Sequence, residues 1–338
     1  MKNLTFLLFL VIIFSIDLNG AVYRVNNTGA DADYTSLQAA HDAATSGDTL
    51  YVEASPTDYG TLIISKKIHI FGTGYFLGEN LNLQANVISS KVYDIFLASG
   101  CDESTIQGMT IDHAILLSGN PAISDVIISR NHIIGGIYLS TTGLIEDMFI
   151  MQNFIEGTFN PYFSIHTLGA SNKNLIVMNN IFSYTGVYSR INFHAQTSAV
   201  FLNNILALFT VSTTNSDFQN NVWLNAAAAN PGLNLFSYNV ATATQVPAGS
   251  NNQQNVNSAS IFVGYPTQGS YTSDNRYELL PGSPAEGTGN GGVDCGVYGG
   301  TSSYVISGIP PIPTIYKFDS PSVVTGNFNI TVSTRSNN

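Results

Sequence analysis

Charged side chains are scarce in this chain of 338 residues. They make up 10% of it, against about 25% in a typical soluble domain. Lysine and arginine together number 11, and the net charge is −11 at pH 7. Nucleic acids and anionic membranes are bound by basic patches, so this acidic balance argues against both as partners. The polarity comes from Asn, Ser, Thr and Gly, which can stack on their own copies without repulsion.

Cysteine is nearly absent, with two thiols at Cys101 and Cys295. They lie at opposite ends of the central part of the sequence, and an elongated fold would hold them apart. We therefore expect two buried free thiols rather than a disulfide, and neither a zinc site nor thiol chemistry. We expect no metal and no cofactor.

Only one long apolar run is present, and it lies at the N-terminus. One lysine is followed by apolar residues from Leu4 to Ile16, and then by small residues at Gly20 and Ala21. This is the form of a secretory signal peptide over residues 1–21, and the run is too short for a stable membrane span. The sequence predicts a protein that is secreted or held at the cell surface, without a transmembrane anchor once the signal is removed.

A short pattern returns along the central part of the chain: an apolar strand, an asparagine and a second short strand. The repeated residues are Asn131, Asn153, Asn180, Asn204, Asn221 and Asn239, with Asp112 in a looser first copy. They are spaced by 22, 27, 24, 17 and 18 residues. A strand-like period near twenty residues is the signature of a solenoid in which each repeat makes one turn.

The positions around each asparagine indicate a corner. Residues three before and two after it are almost all apolar, which places both columns inside. Because side chains alternate along a strand, inward positions on both sides require a bend at the asparagine itself. Asparagine tolerates left-handed backbone geometry, and its amide can bond its copy in the next turn. We therefore expect a structural ladder of corner asparagines.

The outward columns are unusually apolar for a soluble protein. The column directly after the asparagine contains His113, His132, Phe154, Ile181, Ile205, Val222 and Val240. The columns four and two residues before it contain Ile127, Phe149, Ile176 and Val200, and Met151, Met178 and Leu202. Apolar surfaces of this size mark interaction sites. Either the columns are assigned one residue out of register, or a segment of the same chain covers them, or a partner or second subunit does.

A short helix is predicted ahead of the repeats. Thr35 and Gln38 have the form of a capping box, and the helical segment 35–46 ends before Gly47. The segment resembles the entry to right-handed β-helices of the pectin-lyase-like superfamily. The matching residues are Leu37, Ala40, Ala43, Ala44, Gly47, Asp48, Thr49, Leu50 and Val52. In that group the helix plugs the first turn, whose apolar side chains and strand edges would otherwise be exposed.

A second resemblance lies near the C-terminus. A motif of the form L-x-P-G-S-P-A, followed by D-x-G-x-Y-G, resembles the closing turn of many exported bacterial β-helices. It consists of Leu279, Leu280, Pro281, Gly282, Ser283, Pro284 and Ala285, then Asp294, Gly296, Tyr298 and Gly299. We therefore predict an all-β right-handed parallel β-helix over residues 22–300, with an α-helical cap and an extended C-terminal tail over 301–338. The tail is long enough to run back along the solenoid and cover an apolar column.

The catalytic motifs of enzymes with this fold are missing from the sequence. The resemblance would lead us to expect clustered acids with an Arg or Lys base, or neighbouring aspartates with Gly-His-Gly and Arg-x-Lys, or two aspartates with Arg and Gln. The best local cluster is instead His113, Arg130, His132 and Glu156. If the two histidines occupy successive turns, they lie about 5 Å apart. Such a group can bind a metal or a sugar or transfer protons, or it is merely a stacked pair of neutral histidines.

Aromatic and polar residues gather where the repeats lengthen. They add Tyr162, His166, Tyr188, Arg190 and His194 to the candidate ligand-binding residues. Such faces bind sugar rings, although aromatic packing at the base of a loop gives the same pattern. We expect a scaffold that binds extracellular polysaccharide or a cell-surface protein. A polysaccharide lyase or glycoside hydrolase, and a self-assembling structural protein, are the alternatives.

Overall fold

The computed structural model describes most of the chain after the predicted signal segment. The described residues are 20–139, 142–158, 163–167, 172–183, 190–207, 210–224, 233–320 and 329–337. Residues 1–19 of the predicted signal peptide lie outside them, as do the candidate residues Tyr162 and Tyr188. Within the described ranges, no helix combines the length and the apolar character needed to cross a membrane.

The protein is an all-β, right-handed parallel β-helix, as predicted. Ten strands from successive turns stack in parallel into a first sheet. Numbered in chain order, they are β1 (Val22–Val25), β2 (Thr49–Val52), β4 (His69–Phe71), β6 (Thr105–Gln107), β9 (Ile127–Ser129), β13 (Phe149–Met151), β17 (Leu175–Met178), β20 (Ser198–Leu202), β23 (Asn215–Gln219) and β25 (Leu235–Ser237). A right-handed path is the one that parallel crossovers almost always take.

A second sheet has thirteen strands. They are β3 (Leu62–Ile64), β5 (Lys91–Leu97), β7 (Thr110–Leu117), β10 (His132–Ile133), β11 (Ile137–Tyr138), β14 (Phe154–Ile155), β15 (Phe163–His166), β18 (Ile181–Phe182), β19 (Arg190–Asn192), β21 (Ile205–Ala207), β22 (Thr210–Ser212), β24 (Val222–Leu224) and β26 (Val240–Ala241). The long β7 pairs with β10 through its first half and with β11 through its second. A small third sheet contains β8 (Ile123–Ser124), β12 (Ile145–Glu146) and β16 (Asn172–Lys173).

The interior consists of stacked apolar side chains, as the column pattern predicts. The column three residues before the asparagine contains Ile128, Ile150, Val177, Phe201, Phe218 and Phe236, all of them buried. The Phe201 and Phe218 rings stack with centroids 4.5 Å apart, and the Phe218 and Phe236 rings with centroids 5.0 Å apart. The column two residues after the asparagine is buried as well, so the solenoid has a continuous core.

The asparagine ladder is a buried corner, as predicted. All six repeated asparagines have no exposed surface. The backbone N–H and the Nδ2 of Asn153 both donate to Oδ1 of Asn180, each over 3.0 Å. The Nδ2 of Asn180 donates to the Ile150 carbonyl of the preceding turn over 2.8 Å. The ladder also continues for one turn beyond the prediction, because Asn239 donates to Oδ1 of Asn252.

Two details of the predicted corner are wrong. The left-handed backbone belongs to the residue before each ladder asparagine, for example Asn179 with φ 52° and Tyr238 with φ 56°. The first copy is also out of register, because Thr110 rather than His113 pairs with His132. Met109 therefore holds the ladder position in that turn, and its N–H donates to Asn131 Oδ1. The buried isoleucine column sets this register, and Asp112 stands outside it.

The predicted helical plug is present as α1 (Leu37–Ala43), with a different cap. Ser36, not Thr35, is the N-cap, and its hydroxyl accepts a hydrogen bond from the Ala39 N–H over 3.3 Å. Gln38 does not close a capping box but bonds the Ile63 backbone instead. The buried side of the helix carries Leu37, so the plug covers the open end of the core.

A segment that we call the strap, residues 256–309, covers the apolar column that follows the ladder. It includes short 3₁₀ turns at Ser258–Ser260, Asn275–Tyr277, Asn290–Gly292 and Ile306–Gly308. Its buried apolar side chains pack against the column in one cluster. The column contributes Phe154, Ile181, Ile205, Val222 and Val240, and the strap contributes Ile261, Phe262, Tyr277, Cys295, Val297 and Tyr304. Of the three predicted explanations, cover by the same chain is the one that applies to this column.

The predicted tail has two parts. Residues up to Ile309 belong to the strap, and the rest includes an antiparallel hairpin of β27 (Thr314–Asp319) and β28 (Thr331–Arg335). The hairpin lies against an early loop, where the Ala85 N–H donates to the Ile315 carbonyl over 2.9 Å. The strap already covers the column that follows the ladder asparagine. The hairpin part of the tail therefore does not run back over that column.

Both cysteines are buried free thiols, as predicted. Burial raises the pKa of Cys101 to about 12 and that of Cys295 to about 11. Neither thiol forms a reactive thiolate at neutral pH.

Candidate functional site

The polar outward face of the second sheet carries the candidate site. Along β5, β7, β11, β15 and β19 the apolar side chains turn mainly inward and the polar or aromatic ones mainly outward. The pairing of β5 with β7 shifts register between Val92 and Asp94, and Asp112 and His113 are both partly exposed there. Asp94 and His166 are buried at the base of this surface. We call this surface the histidine face, and it consists of Lys91, Tyr93, Asp94, Asp112, His113, Tyr138, Glu156, His166, Arg190 and Asn192. It brings together four of the residues that the sequence singled out: His113, Glu156, His166 and Arg190.

An aromatic pair stands at the centre of β5 and β7. The Tyr93 and His113 rings are nearly parallel, at 10°, with centroids 5.0 Å apart. Nδ1 of His113 lies 2.6 Å from Oδ1 of the buried Asp94, which also accepts the Ala114 N–H over 3.1 Å. Tyr93 is 48% exposed. The carboxylate holds the imidazole, and the imidazole supports the tyrosine ring, so the pair forms a rigid platform on the surface.

Tyr93 and Asp94 are not among the residues predicted from the sequence. Both lie one turn before His113, in the β5 segment Lys91–Leu97, where the asparagine repeat has not yet begun. The signal that could have found them is the polar pattern K-x-Y-D inside an otherwise apolar strand. In the same place Lys91 Nζ lies 3.4 Å from Asp112 Oδ2.

The predicted cluster of His113, Arg130, His132 and Glu156 is not formed as a unit. Nε2 of His132 and Oε1 of Glu156 lie 2.7 Å apart, so this pair is real. His113 is bonded to Asp94 instead, because the first turn has a different register from the one predicted. The guanidinium of Arg130 donates to Gln152 Oε1 over 2.8 Å and to the Ile309 carbonyl over 3.0 Å. Arg130 therefore holds the strap, and burial lowers its pKa.

His132 is enclosed by aromatic rings. The Phe76 ring lies 4.6 Å from it, and the Phe154 ring 5.5 Å. Only 7% of His132 is exposed. His132 lies under the strap, at the border of the histidine face. It is therefore a packing residue whose polar contact is with Glu156.

A second part of the face runs across β11, β15 and β19. The register places Tyr138 beside His166 and His166 beside Asn192. The Tyr138 and His166 rings are 6.3 Å apart in an edge-on arrangement, and His166 Nδ1 lies 3.2 Å from the Asn192 carbonyl. Burial is the main cause that lowers the pKa of His166, and the charge of Arg190 lowers it further. His194 lies beyond β19, where its N–H bonds Thr167.

The described residues contain no group of three or more His, Cys, Asp or Glu arranged to hold a metal ion. The chemistry available on the histidine face is therefore aromatic stacking, hydrogen bonding through carboxylates, amides and imidazoles, and proton transfer by the His113–Asp94 pair.

A second surface remains partly exposed on the first sheet. Ile127, Phe149, Ile176 and Val200 lie side by side in successive turns. Val200 is 40% exposed, and the other three are half-buried. The apolar cluster of the strap does not include this column. Met151, Met178 and Leu202 of the neighbouring predicted column are half-buried as well, so among the described residues both columns stay partly exposed.

The chain matches no protein-family model, no curated protein and no solved structure. Its function therefore has to be inferred from the geometry of these surfaces.

Proposed function

We propose that this protein is an exported β-helix whose histidine face binds an extracellular polysaccharide. The Tyr93–His113 platform carries the proposal. A half-exposed aromatic ring, held in place by a stacked imidazole and a buried carboxylate, is a surface on which a sugar ring can stack. Because the platform is already ordered, little side-chain entropy is lost on binding.

Polar groups beside the platform supply the hydrogen bonds that a sugar needs. Asp112 and Glu156 are acceptors for hydroxyl groups, and Asn192 offers an amide donor and acceptor. Bonds from hydroxyl groups to carboxylates are charge-assisted and strong. The face thus offers both the apolar surface and the directional groups of a carbohydrate site.

Export rests on the predicted signal peptide over residues 1–21. The helical plug and the closing motif, which resemble those of pectin-lyase-like β-helices, support a place among extracellular proteins of that superfamily. They do not specify the activity, because many functions share this fold.

A polysaccharide lyase or glycoside hydrolase is the second candidate, and the His113–Asp94 pair favours it. A carboxylate bonded to Nδ1 orients an imidazole so that Nε2 can accept a proton from a bound substrate. Self-assembly is supported less, because the strap covers the longest apolar column within one chain.

Affinity electrophoresis through gels containing soluble polysaccharides tests the binding proposal. We expect retardation by at least one glycan and about fivefold weaker binding for Tyr93→Ala, since aromatic stacking is worth about 1 kcal/mol. Tyr271→Ala is the matched control, because Tyr271 is similarly exposed, at 41%, but lies on the strap. Equal losses in both variants, or no retardation by any glycan, would contradict the proposal.

Product release distinguishes the two candidates. A lyase or hydrolase liberates new reducing ends from the glycan that binds, and Asp94→Asn lowers that rate while Tyr93→Ala mainly weakens binding. If the bound glycan keeps its length during prolonged incubation, the protein is a binding scaffold.

A further inference from the structure

The charges of the histidine face indicate which class of glycan it takes. We propose that the ligand is an uncharged polysaccharide chain, not a polymer of uronic acids. This inference rests on the proposed function and deepens it.

Three basic side chains on the face or at its border already have carboxylate partners in this chain. Lys91 lies 3.4 Å from Asp112, and His113 lies 2.6 Å from Asp94. At the border of the face, His132 lies 2.7 Å from Glu156. A uronate arriving at these groups has to compete with a carboxylate that is covalently tethered in place.

The remaining groups do not reverse this balance. Among the described residues of the face, Lys91 and Arg190 are the permanent cations, whereas Asp94, Asp112 and Glu156 are carboxylates, so these five side chains sum to −1. Burial lowers the pKa of His166, which keeps this imidazole neutral near pH 7.

The whole molecule adds to the repulsion. Its net charge of −11 creates a negative potential that lowers the local concentration of polyanions. An uncharged chain escapes this penalty, and its hydroxyl groups can donate to the same carboxylates that repel a uronate.

The arrangement in successive turns favours a chain over a single sugar. Tyr138, His166, Asn192 and Ser212 occupy neighbouring positions in four turns, one strand spacing apart. Three spacings of about 4.8 Å span about 14 Å. His166 is buried beneath this surface, so the accessible positions are Tyr138, Asn192 and Ser212. A ligand that contacts these three is therefore an extended oligosaccharide or longer polymer.

Matched pairs of polymers test the inference. Isothermal titration calorimetry compares polygalacturonate with its fully methyl-esterified form, and carboxymethylcellulose with hydroxyethylcellulose, at low and at physiological salt. We expect the uncharged member of a pair to bind at least tenfold more tightly, with an affinity that salt barely changes.

A charge variant separates the local effect from the global one. Asp112→Asn removes a carboxylate that is paired with lysine on the face, and Asp319→Asn removes one that is paired with Lys317 on the hairpin. Both change the net charge equally. We expect severalfold tighter binding of the charged polymer by Asp112→Asn alone.

Three outcomes are distinguishable. Tighter binding of the uncharged polymer supports the inference. Tighter binding of the uronate polymer, weakened by salt, overturns it and leaves the proposed function standing. No binding of either pair, together with no retardation in the glycan gels, overturns both.

Discussion

Pairs of adjacent asparagines show how much one residue position decides in this fold. In Asn179–Asn180, the second side chain points inward and forms the ladder, fully buried. The first adopts φ 52° and points outward, where its Nδ2 donates to the Val297 and Gly299 carbonyls of the strap. Two residues of the same type thus join different parts of the molecule. The sequence pattern revealed the ladder, whose period is visible, but not the strap contacts, whose partners lie more than a hundred residues away.

Replacing Asn180 with alanine should destabilise the protein strongly. The change removes the acceptor for the backbone N–H and the Nδ2 of Asn153, both in a buried site. Leaving such groups unsatisfied costs about 3 kcal/mol of unfolding free energy. Equilibrium unfolding in guanidinium chloride measures it.

Asn82→Ala is the control for the ladder, because Asn82 is exposed on an early loop. It should change the free energy of unfolding by less than about 0.5 kcal/mol. A cost for Asn180→Ala as small as this would mean that the ladder contributes nothing to stability.

His166 should make stability depend on pH in a defined direction. Burial lowers its pKa in the folded state below the ordinary histidine value of 6.5. The folded state therefore binds fewer protons than the unfolded state, so the stability present above the unfolded pKa is lost as the pH falls below it. Between about pH 7.5 and about pH 5, His166→Gln should lose less stability than the unchanged protein.

Thermal unfolding at several pH values measures this effect, with His194→Gln as the control from the end of the same sheet. His69, whose pKa burial also lowers, is present in both variants and contributes equally. Identical pH profiles for the two variants would show that His166 titrates alike in the folded and unfolded states.

Among the elements of the fold, the strap is the one whose position could not be predicted from the sequence. Its apolar residues are spread over more than forty positions without a strand or helix period, because they fit the column of another element rather than a periodic face of their own. The motif that resembles a closing turn is indeed within it, with Ala285 buried against the solenoid. The predicted stripe was confirmed, and its position after the ladder asparagine was right from His132 onward. What covers it could not be predicted from periodicity.

Docking of the strap end should depend on Gly308. Its φ is +55°, and an added Cβ would overlap the Tyr75 ring and the Arg130 carbonyl. Gly308→Ala should therefore lower the free energy of unfolding by about 3 kcal/mol, from left-handed strain and overpacking together.

Gly269→Ala separates the two contributions. Gly269 has a similar φ of +62° but nothing within 4 Å of the added Cβ. It should cost only the backbone strain of about 1 kcal/mol. Equal costs in the two variants, measured by denaturant unfolding, would mean that the strap end is not packed against Tyr75.

At the scale of the whole molecule, the strap and the hairpin should differ in importance. Removing residues 256–338 exposes the apolar column, whereas removing 314–338 takes away a hairpin in whose two described strands only Thr314 is buried. The longer truncation should aggregate, and the shorter one should keep the oligomeric state of the full chain, with a melting temperature within a few degrees of it. Light scattering and calorimetry measure both. A soluble, equally stable product of the longer truncation would show that the strap is dispensable.

The candidate site was only partly predictable. His113 and Glu156 were predicted because they stand at outward positions of apolar repeats. His166 and Arg190 were predicted because polar and aromatic residues gather where the repeats lengthen. Tyr93 and Asp94 were missed because they precede the repeat. His113 and His132 were wrongly placed side by side, because Asp112 was taken as a ladder residue although Met109 holds that position. A three-residue error in one irregular turn is enough to move a side chain to another neighbour.

The solenoid, its inward columns, its corner asparagines and its helical plug could all be predicted from the sequence. These features depend on contacts between equivalent positions in neighbouring turns, and such contacts leave a period in the chain. The position of the strap, the carboxylate partner of each histidine and the stacking of Tyr93 on His113 became visible in the folded structure alone. Those contacts join positions that do not repeat along the chain, so they produce no periodic pattern in the sequence. They form only after the turns have stacked.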